Sequence, residues 1–187
     1  RALCGYYGAC SDGIAGNYAA DVLARAKTWQ RQSAATASPT IPALGSTAPL
    51  LWPVHGPVTS PFCQHRAWET CHPGVDIGVP SGTTILAAAA GRVALVQSTS
   101  ASGGYGNFTC LQHTSALTTC YAHQQRILVR AGQSVDRGQP IGISDCTGRC
   151  FGPHLHFEVR LDGHVVCPAP YLSVAASTMC APGAPGA

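Results

Sequence analysis

The stretch Gly152-Pro-His-Leu-His-Phe-Glu-Val159 decides how this sequence is interpreted. From His154 onward it alternates polar and apolar residues, which is the pattern of a half-buried β-strand. Successive side chains of a strand point to opposite faces, so His154 and His156 share one face while Leu155 and Phe157 face the core. Two imidazoles on one rigid strand form half of a preorganised site. The stretch therefore predicts a strand that carries two site histidines.

Short β-rich segments, separated by glycine and proline, precede this stretch along the chain. The predicted strands are Val75–Val79, Thr84–Ala87, Gly91–Gln97, Asn107–His113, Leu117–His123, Pro140–Ser144 and His154–Arg160. Regular short strands with tight turns favour an antiparallel sheet or sandwich. The sequence therefore predicts an all-β fold.

The composition changes along the chain and predicts four zones. Residues 1–32 combine a Gly-rich cysteine pair with an apolar face at helical spacing, which predicts a short helical extension. Residues 33–49 are rich in Ser, Thr, Ala and Pro, as in an extended linker. Residues 50–172 form the main domain, and residues 173–187 form a C-terminal tail.

The chain holds 10 cysteines, an even and high count for 187 residues. Such a count indicates disulfides and an oxidising compartment, so we expect a secreted, extracellular or periplasmic protein. The sequence does not fix their connectivity, but pairing of sequence neighbours is the simplest interpretation because short loops close easily. The pairs are then Cys4 with Cys10, Cys63 with Cys71, Cys110 with Cys120, Cys146 with Cys150 and Cys167 with Cys180.

Charge and hydropathy argue against nucleic-acid binding and against a membrane span. The net charge is only +3 and the sequence has no run of Lys or Arg, so we expect no nucleic-acid partner. No stretch approaches the ~18 apolar residues of a membrane span. A mild positive balance is compatible with an anionic partner such as a cell wall, and equally with ordinary surface charge.

A second motif, His72-Pro-Gly-Val-Asp76, combines an imidazole and a carboxylate across a turn. Alone it is compatible with an ordinary Asp-capped turn. Together with His156, the two side chains would give three zinc ligands and leave one position open for water, which is typical of a catalytic zinc. His123, in Tyr121-Ala-His123, and His154 would then lie beside the open position. One would accept a proton and the other would donate to the oxyanion, and the sequence leaves open which does which.

These motifs, in this order, resemble the M23 (lysostaphin/LytM-type) metallopeptidases. The resemblance covers about residues 50–172 and rests on further segments. These are Trp52-Pro-Val54, Val58-Thr-Ser60, Gly91-Arg-Val93, Tyr105-Gly-Asn107 and the turn-rich run Ala131–Gly142. It implies antiparallel sheets around a groove and one Zn²⁺ per chain, held by His72, Asp76 and His156. It also implies His123 and His154 as the catalytic pair.

The resemblance further suggests residues around the groove. Many members place an aromatic shortly before the first ligand, and Trp68 is the nearest candidate here. Tyr105 is a second candidate for substrate binding. His113, at a predicted strand end, is a candidate to support a zinc ligand from behind. The segment from Phe62 to Cys71 departs from the common pattern of the family.

The resemblance implies a monomeric zinc endopeptidase that cleaves peptidoglycan stem peptides or cross-bridges. Two alternatives remain open: a peptidase for Gly-rich proteins, and a non-catalytic binding or regulatory module of the same fold. Relatives of the latter kind have lost catalytic histidines or metal ligands, whereas all five positions are filled here. No His-Glu-x-x-His motif occurs, which excludes that other class of zinc protease.

Overall fold

The computed structural model describes residues 50–66 and 69–184 of the chain. The predicted N-terminal helix, the linker, the pairing of Cys4 with Cys10 and the position of Trp68 lie outside the described residues.

In the described part of the chain, ten short strands are joined by turns, and the single helical element is a 3-10 turn, Ala176–Thr178. The strands are β1 Val58–Ser60, β2 Val75–Gly78, β3 Thr84–Leu86, β4 Gly91–Gln97, β5 Asn107–Gln112, β6 Leu117–Ile127, β7 Ser134–Val135, β8 Pro140–Ser144, β9 His154–Leu161 and β10 His164–Val166. The predicted all-β fold is confirmed, with every strand pair antiparallel. The prediction missed the short strands β7 and β10 and ended β6 at His123, four residues early.

The strands form one sheet in the order β1-β2-β9-β6-β5-β4-β7, while β8 pairs with both β3 and β6. Strand β9 is central, because β2 and β6 flank it. Its apolar alternation points Leu155, Phe157 and Val159 into the core, where all three are fully buried. The ring of Phe157 lies 5.4 Å from that of Tyr121 on β6. Burial of such large side chains is the main driving force for the fold.

Strand register brings the polar motifs together. On the antiparallel pair β2–β9, Asp76 lies opposite His156 and Gly78 lies opposite His154. Ala122, next to His123, lies opposite His156 on the other side of β9. Side chains directly opposite on neighbouring strands are about 5 Å apart at Cβ. The sheet thus places residues from three strands at one point on its surface.

Four disulfides link neighbouring cysteines, as predicted: Cys63–Cys71, Cys110–Cys120, Cys146–Cys150 and Cys167–Cys180. The last disulfide holds the segment after residue 172 to the domain. In this segment Met179 is fully buried, and the backbone of Cys180 forms an isolated β-bridge with Phe62. None of the described residues belongs to a helix long and apolar enough to cross a membrane.

Candidate active site

Three side chains converge at the ends of β2 and β9, and we call His72, Asp76 and His156 the ligand cluster. Their exposed fractions are 1%, 7% and 3%. Nε2 of His72 lies 2.9 Å from Nδ1 of His156. Oδ1 of Asp76 lies 3.0 Å from that Nδ1 and 3.2 Å from the His72 Nε2. One atom of each side chain therefore faces a common point.

The outward nitrogens of both imidazoles are engaged by acceptors. Nδ1 of His72 lies 3.1 Å from the carbonyl of Pro61, and Nε2 of His156 lies 3.1 Å from Oε1 of Glu158. A carbonyl and an ionised carboxylate can only accept, so these nitrogens carry the hydrogens. In the neutral rings the inward nitrogens then carry the lone pairs, which is the tautomer that a metal requires.

Close packing of a turn allows this arrangement. Gly74, in the turn between His72 and Asp76, lies directly against His156. A Cβ at position 74 would stand 2.8 Å from two atoms of that imidazole and 2.5 Å from the carbonyl of Phe157. Such distances are below van der Waals contact, so a larger residue would displace the ligand. Glycine is thus required here for close approach rather than for a special backbone angle.

Both carboxylate oxygens of Asp76 contact ionisable side chains. Oδ1 faces the histidines, and Oδ2 accepts a 2.7 Å hydrogen bond from Nη2 of Arg66. Burial alone would raise the pKa of Asp76, but when His156 and His72 are protonated their hydrogen bonds outweigh it and hold the pKa well below its usual range. Arg66 is itself fixed by Glu69, at 3.0 Å, and by Ser60. No sequence pattern marks Arg66, which reaches the site through tertiary structure.

Glu158 supports His156 from beneath, on the same face of β9. Its side chain is fully buried, and Arg160 contacts Oε2 through Nε at 2.8 Å and Nη2 at 2.6 Å. Burial acts to raise the pKa of Glu158, but the hydrogen bond from His156 and the charge of Arg160 lower it overall. Burial likewise opposes the charged form of His156, yet the bonds to Asp76 and Glu158 raise its pKa to about 9. Glu158 was not predicted as a site residue, although its position two residues after His156 on a strand places both side chains on one face.

The second group is the histidine pair, His123 and His154, whose ring centroids lie 4.7 Å apart. Nδ1 of His123 lies 2.7 Å from the carbonyl of Thr147, and Nδ1 of His154 lies 2.7 Å from that of Gly152. Neither Nε2 atom is bound by a backbone carbonyl, so both remain available to a substrate. Nε2 of His154 lies 3.5 Å from Oδ1 of Asp76, so the pair adjoins the ligand cluster. Burial lowers the pKa of His123 to about 4.

An open groove of about 630 Å³ runs over both groups of residues. Tyr105, Arg66, Arg149, Phe151 and Pro153 lie among its walls. Phe151 is 84% exposed at the rim. A groove of this size, with an apolar rim and converging polar groups, is typical of a site for an extended substrate.

Tyr105 and His113 occupy different positions relative to the site. Tyr105 lines the groove, stacks on Phe108 at 4.5 Å and is hydrogen-bonded to Glu158. His113 is fully buried, and its ring nitrogens contact the Ala90 carbonyl at 2.9 Å and the Thr119 hydroxyl at 2.7 Å. The described hydrogen bonds of His113 therefore run into the core, and none reaches the ligand cluster.

Residues 70–168 match the model of Peptidase family M23. The chain belongs to this family. It is 40% identical over 95 residues to the peptidoglycan DD-endopeptidase ShyA of Vibrio cholerae, which covers 51% of this chain and 21% of ShyA. It is 36% identical over 140 residues to the murein hydrolase activator NlpD of Salmonella dublin, covering 73% of this chain and 36% of NlpD. The M23 chain thus spans well under half the length of these two relatives.

Solved structures agree with this M23 membership. A zinc-containing peptidase from Vibrio cholerae aligns with a TM-score of 0.60 and 32% identity, over 65% of this chain and 39% of that one. The catalytic domain of lysostaphin from Staphylococcus simulans aligns with a TM-score of 0.54 and 28% identity, over 63% of this chain and 90% of that domain. The LytM-like fold predicted from the sequence motifs is therefore confirmed.

The ligand cluster fits the zinc that the M23 family implies. Zinc bonds of about 2.0–2.1 Å in a tetrahedron separate the ligand atoms by about 3.3 Å, close to the distances between the three inward atoms. Those atoms form a group that could hold a metal ion. Two imidazole lone pairs and a carboxylate oxygen that face one another repel unless a cation lies between them. With three protein ligands, one position would stay open.

Proposed function

We propose that this M23 chain is a zinc endopeptidase that hydrolyses peptide bonds in the stem peptides or cross-bridges of bacterial peptidoglycan. The observation that carries the proposal is the contact between the ligand cluster and the histidine pair on the floor of one groove. A protein that only binds cell walls would not need two further histidines beside the ligand cluster. The similarity to ShyA, named a peptidoglycan DD-endopeptidase, supports the substrate class.

In this proposal His72, Asp76 and His156 hold the ion, and Arg66 and Glu158 keep their donor atoms in place. When bound there, zinc would supply Lewis acidity that brings the pKa of a water to about 7 and polarises a carbonyl. The histidine pair handles protons and charge beside it. A neutral imidazole takes the proton of the attacking water through its Nε2 lone pair, and the other ring, protonated at Nε2 as well as at Nδ1, donates its Nε2–H to the oxyanion of the tetrahedral intermediate. His123 and His154 supply these two functions.

The backbone contacts of the histidine pair prepare both rings for these functions. Thr147 and Gly152 bind the Nδ1 hydrogens, so each ring presents Nε2 to the substrate without needing to rotate. Groups held in the reactive orientation lower the barrier because no ordering remains to be done in the transition state. The groove walls would align an extended peptide across this point.

We further propose that the protein works outside the cytoplasm. Four disulfides in the described part of the chain indicate an oxidising compartment, since cytosolic thiols stay reduced. Peptidoglycan lies in the same compartment, so localisation and substrate agree. A monomer remains our expectation for the oligomeric state.

A second candidate function is regulation of other wall hydrolases without catalysis. The similarity to NlpD, named a murein hydrolase activator, favours it. The five site residues count against it, because an activator requires neither the metal ligands nor the histidine pair. A Gly-rich protein substrate would use the same catalytic groups and differs only in what fills the groove.

The experiment is digestion of purified peptidoglycans of different cross-bridge types, with and without a zinc chelator. Released fragments are identified by mass spectrometry, and zinc content is measured on the same sample. We expect new amino termini that disappear with chelator and return with added zinc. Protein with stoichiometric zinc that cleaves no wall, but stimulates a separate wall hydrolase, would establish the regulatory function instead. Cleavage of a Gly-rich protein alone would move the substrate outside the cell wall.

A further inference from the structure

The loop from Cys146 to Cys150 lies between β8 and β9, immediately before the histidines of β9. Its two ends are joined by a disulfide across only four positions of sequence. Gly148, inside the loop, has a φ of +78°, a conformation that favours glycine. A Cβ at Gly148 would stand 2.3 Å from the nitrogen of Gly106. The loop from Cys146 to Cys150, which we call the clipped loop, therefore packs directly on the loop that precedes β5.

Each member of the histidine pair contacts this clipped loop. The carbonyl of Thr147, one residue after Cys146, accepts the Nδ1 hydrogen of His123 at 2.7 Å. Sγ of Cys150 lies 3.6 Å from Nδ1 of His154. The two cysteines thus stand next to the two groups that are proposed to handle protons.

Hydrogen bonds on several sides fix Thr147 within the loop. Its hydroxyl donates to the carbonyl of Gln124 at 2.8 Å and accepts from the backbone nitrogen of Asn107 at 3.0 Å. Nearby, the nitrogen of Arg149 donates to the carbonyl of Gly104 at 2.7 Å. The Thr147 carbonyl is therefore held at a defined place above β6.

His123 itself has an unusual backbone, with a φ of +59°. For a non-glycine residue this conformation is strained, and it persists only where the surroundings enforce it. The backbone nitrogen of His123 donates to the carbonyl of Tyr105 at 2.8 Å, and its ring is bound by Thr147. The clipped loop is thus part of what keeps His123 in this conformation.

We propose that the Cys146–Cys150 disulfide is a positioning element for the histidine pair, and not only a stabiliser of the fold. The proposal rests on the proposed catalytic function of His123 and His154. Without the bridge, a short loop containing glycine samples many conformations, and the Thr147 carbonyl leaves its place for part of the time. The ring of His123 is then free to rotate or to change tautomer, and an Nε2 that carries hydrogen cannot accept a proton.

The first test compares two double variants. Cys146→Ala with Cys150→Ala removes the Cys146–Cys150 disulfide, which we call the clip, and gives the clip variant. Cys110→Ala with Cys120→Ala is the matched control. The control bridge joins directly opposite residues of β5 and β6, and no hydrogen bond or ring contact among the described residues links it to the histidine pair. Turnover is measured on a defined cross-linked muropeptide, together with zinc content and thermal unfolding.

We expect removal of the clip to lower kcat by roughly 10²-fold, because misplacement of a catalytic group by about 1 Å has that effect. KM should stay within about twofold and zinc content should stay stoichiometric, since the ligand cluster makes no contact with the bridge. The control should keep kcat within about twofold of the original protein. Unchanged kcat in the clip variant, or a loss of zinc that parallels the loss of kcat, would overturn the proposal.

A second readout does not depend on turnover. In ¹⁵N-labelled, zinc-loaded protein, long-range ¹H–¹⁵N spectra report which nitrogen of His123 carries the hydrogen. We expect an exchange-protected Nδ1–H in the original protein and a mixture of tautomers after removal of the clip. Identical spectra would refute the positioning function. An unmodified protein with the expected spectrum but without any cleavage would instead refute the proposed enzymatic function.

Should the clip variant fail to fold, Thr147 offers a milder change. Thr147→Ala removes the hydroxyl bonds to Asn107 and Gln124 that hold the loop, while Thr147→Ser keeps them. We expect about a tenfold fall in kcat for the alanine variant and recovery to within about twofold for the serine variant, as befits the loss of one or two hydrogen bonds. Equal kcat in both variants would contradict the proposal.

Discussion

The ligand cluster and the histidine pair lie side by side but are built in different ways. His72, Asp76 and His156 sit on or next to the antiparallel pair β2–β9. Charged side chains bind the outer atoms of Asp76 and His156, and the Pro61 carbonyl binds that of His72. The histidine pair instead depends on backbone carbonyls of the segment between β8 and β9. Strand register therefore fixes the metal ligands, whereas loop conformation fixes the groups that move protons.

This difference separates two quantities that experiments can measure independently. Changes in the ligand cluster or its supports should act on zinc affinity, because they alter the donor atoms. Changes in the histidine pair or its supports should act on kcat with zinc still bound. The comparison fails if the two kinds of change have the same effect.

The largest effect is expected from loss of a ligand. His72→Ala leaves two donors at the site, so we expect loss of stoichiometric zinc and a fall in kcat/KM of at least about 10³-fold. Metal analysis and the muropeptide assay measure the two quantities on one preparation. His164→Asn, on the exposed strand β10, is the control and should match the original protein. Full zinc occupancy in the His72 variant would show that the ligand cluster is misassigned.

The histidine pair should respond differently. His123→Ala and His154→Ala remove no donor from the ligand cluster, so both variants should keep stoichiometric zinc. We expect kcat to fall by about 10²–10⁴-fold in each, the usual range for loss of a general acid or base. Zinc analysis and single-turnover kinetics distinguish this outcome from a binding defect. Loss of zinc from either variant would make that histidine a ligand and remove the distinction between the two groups.

A smaller effect on the metal side is expected at Glu158. Glu158→Gln keeps the shape of the side chain but removes the charge that orients His156 through Nε2. Partners of this kind typically contribute 10–100-fold in metal affinity, so we expect zinc affinity to fall by about that factor. Competition with a chromophoric chelator measures it. Wild-type affinity would mean that strand register alone orients His156.

The same difference explains what the sequence could predict. Alternation along β9 placed His154 and His156 on one face, and the motif His72–Asp76 predicted a second donor pair, because strand geometry follows directly from local sequence. Sequential cysteine pairing was likewise correct at the four bridges that the structure describes. These features depend on short-range pattern, which a single sequence contains.

The supports of the site were missed for the opposite reason. Arg66 reaches Asp76 from ten residues away through a folded turn, and no periodic pattern marks it. Thr147 contributes its carbonyl, a group that every residue has, so its identity carries no signal. Gly74 matters because His156 packs against it, a contact that exists only in the folded chain. Tertiary contacts and backbone acceptors thus define the part of the site that sequence patterns do not show.

His113 gives the smallest predicted effect, and it concerns stability rather than activity. Burial lowers the pKa of His113 below its ordinary value of 6.5, and the hydrogen bond to the Ala90 carbonyl offsets this only in part. The unfolded chain therefore takes up a proton near pH 6.5 while the folded protein resists protonation. Stability from this residue is complete above pH 6.5 and is lost as the pH falls toward the folded pKa.

We expect the free energy of unfolding of the zinc-loaded protein to decrease by up to about 1.4 kcal/mol per pH unit below pH 6.5 on account of this one residue. His113→Gln should be less stable at pH 7, because it disturbs the bond to Thr119, but its stability should depend less steeply on pH between 6.5 and 5. Urea unfolding at a series of pH values measures both slopes, with His164→Asn as the control. The zinc ligands contribute equally to all three proteins, so the difference in slope isolates His113. Equal slopes would mean that the buried network accommodates an imidazolium, and would place the acid sensitivity of the fold in the ligand cluster and the histidine pair instead.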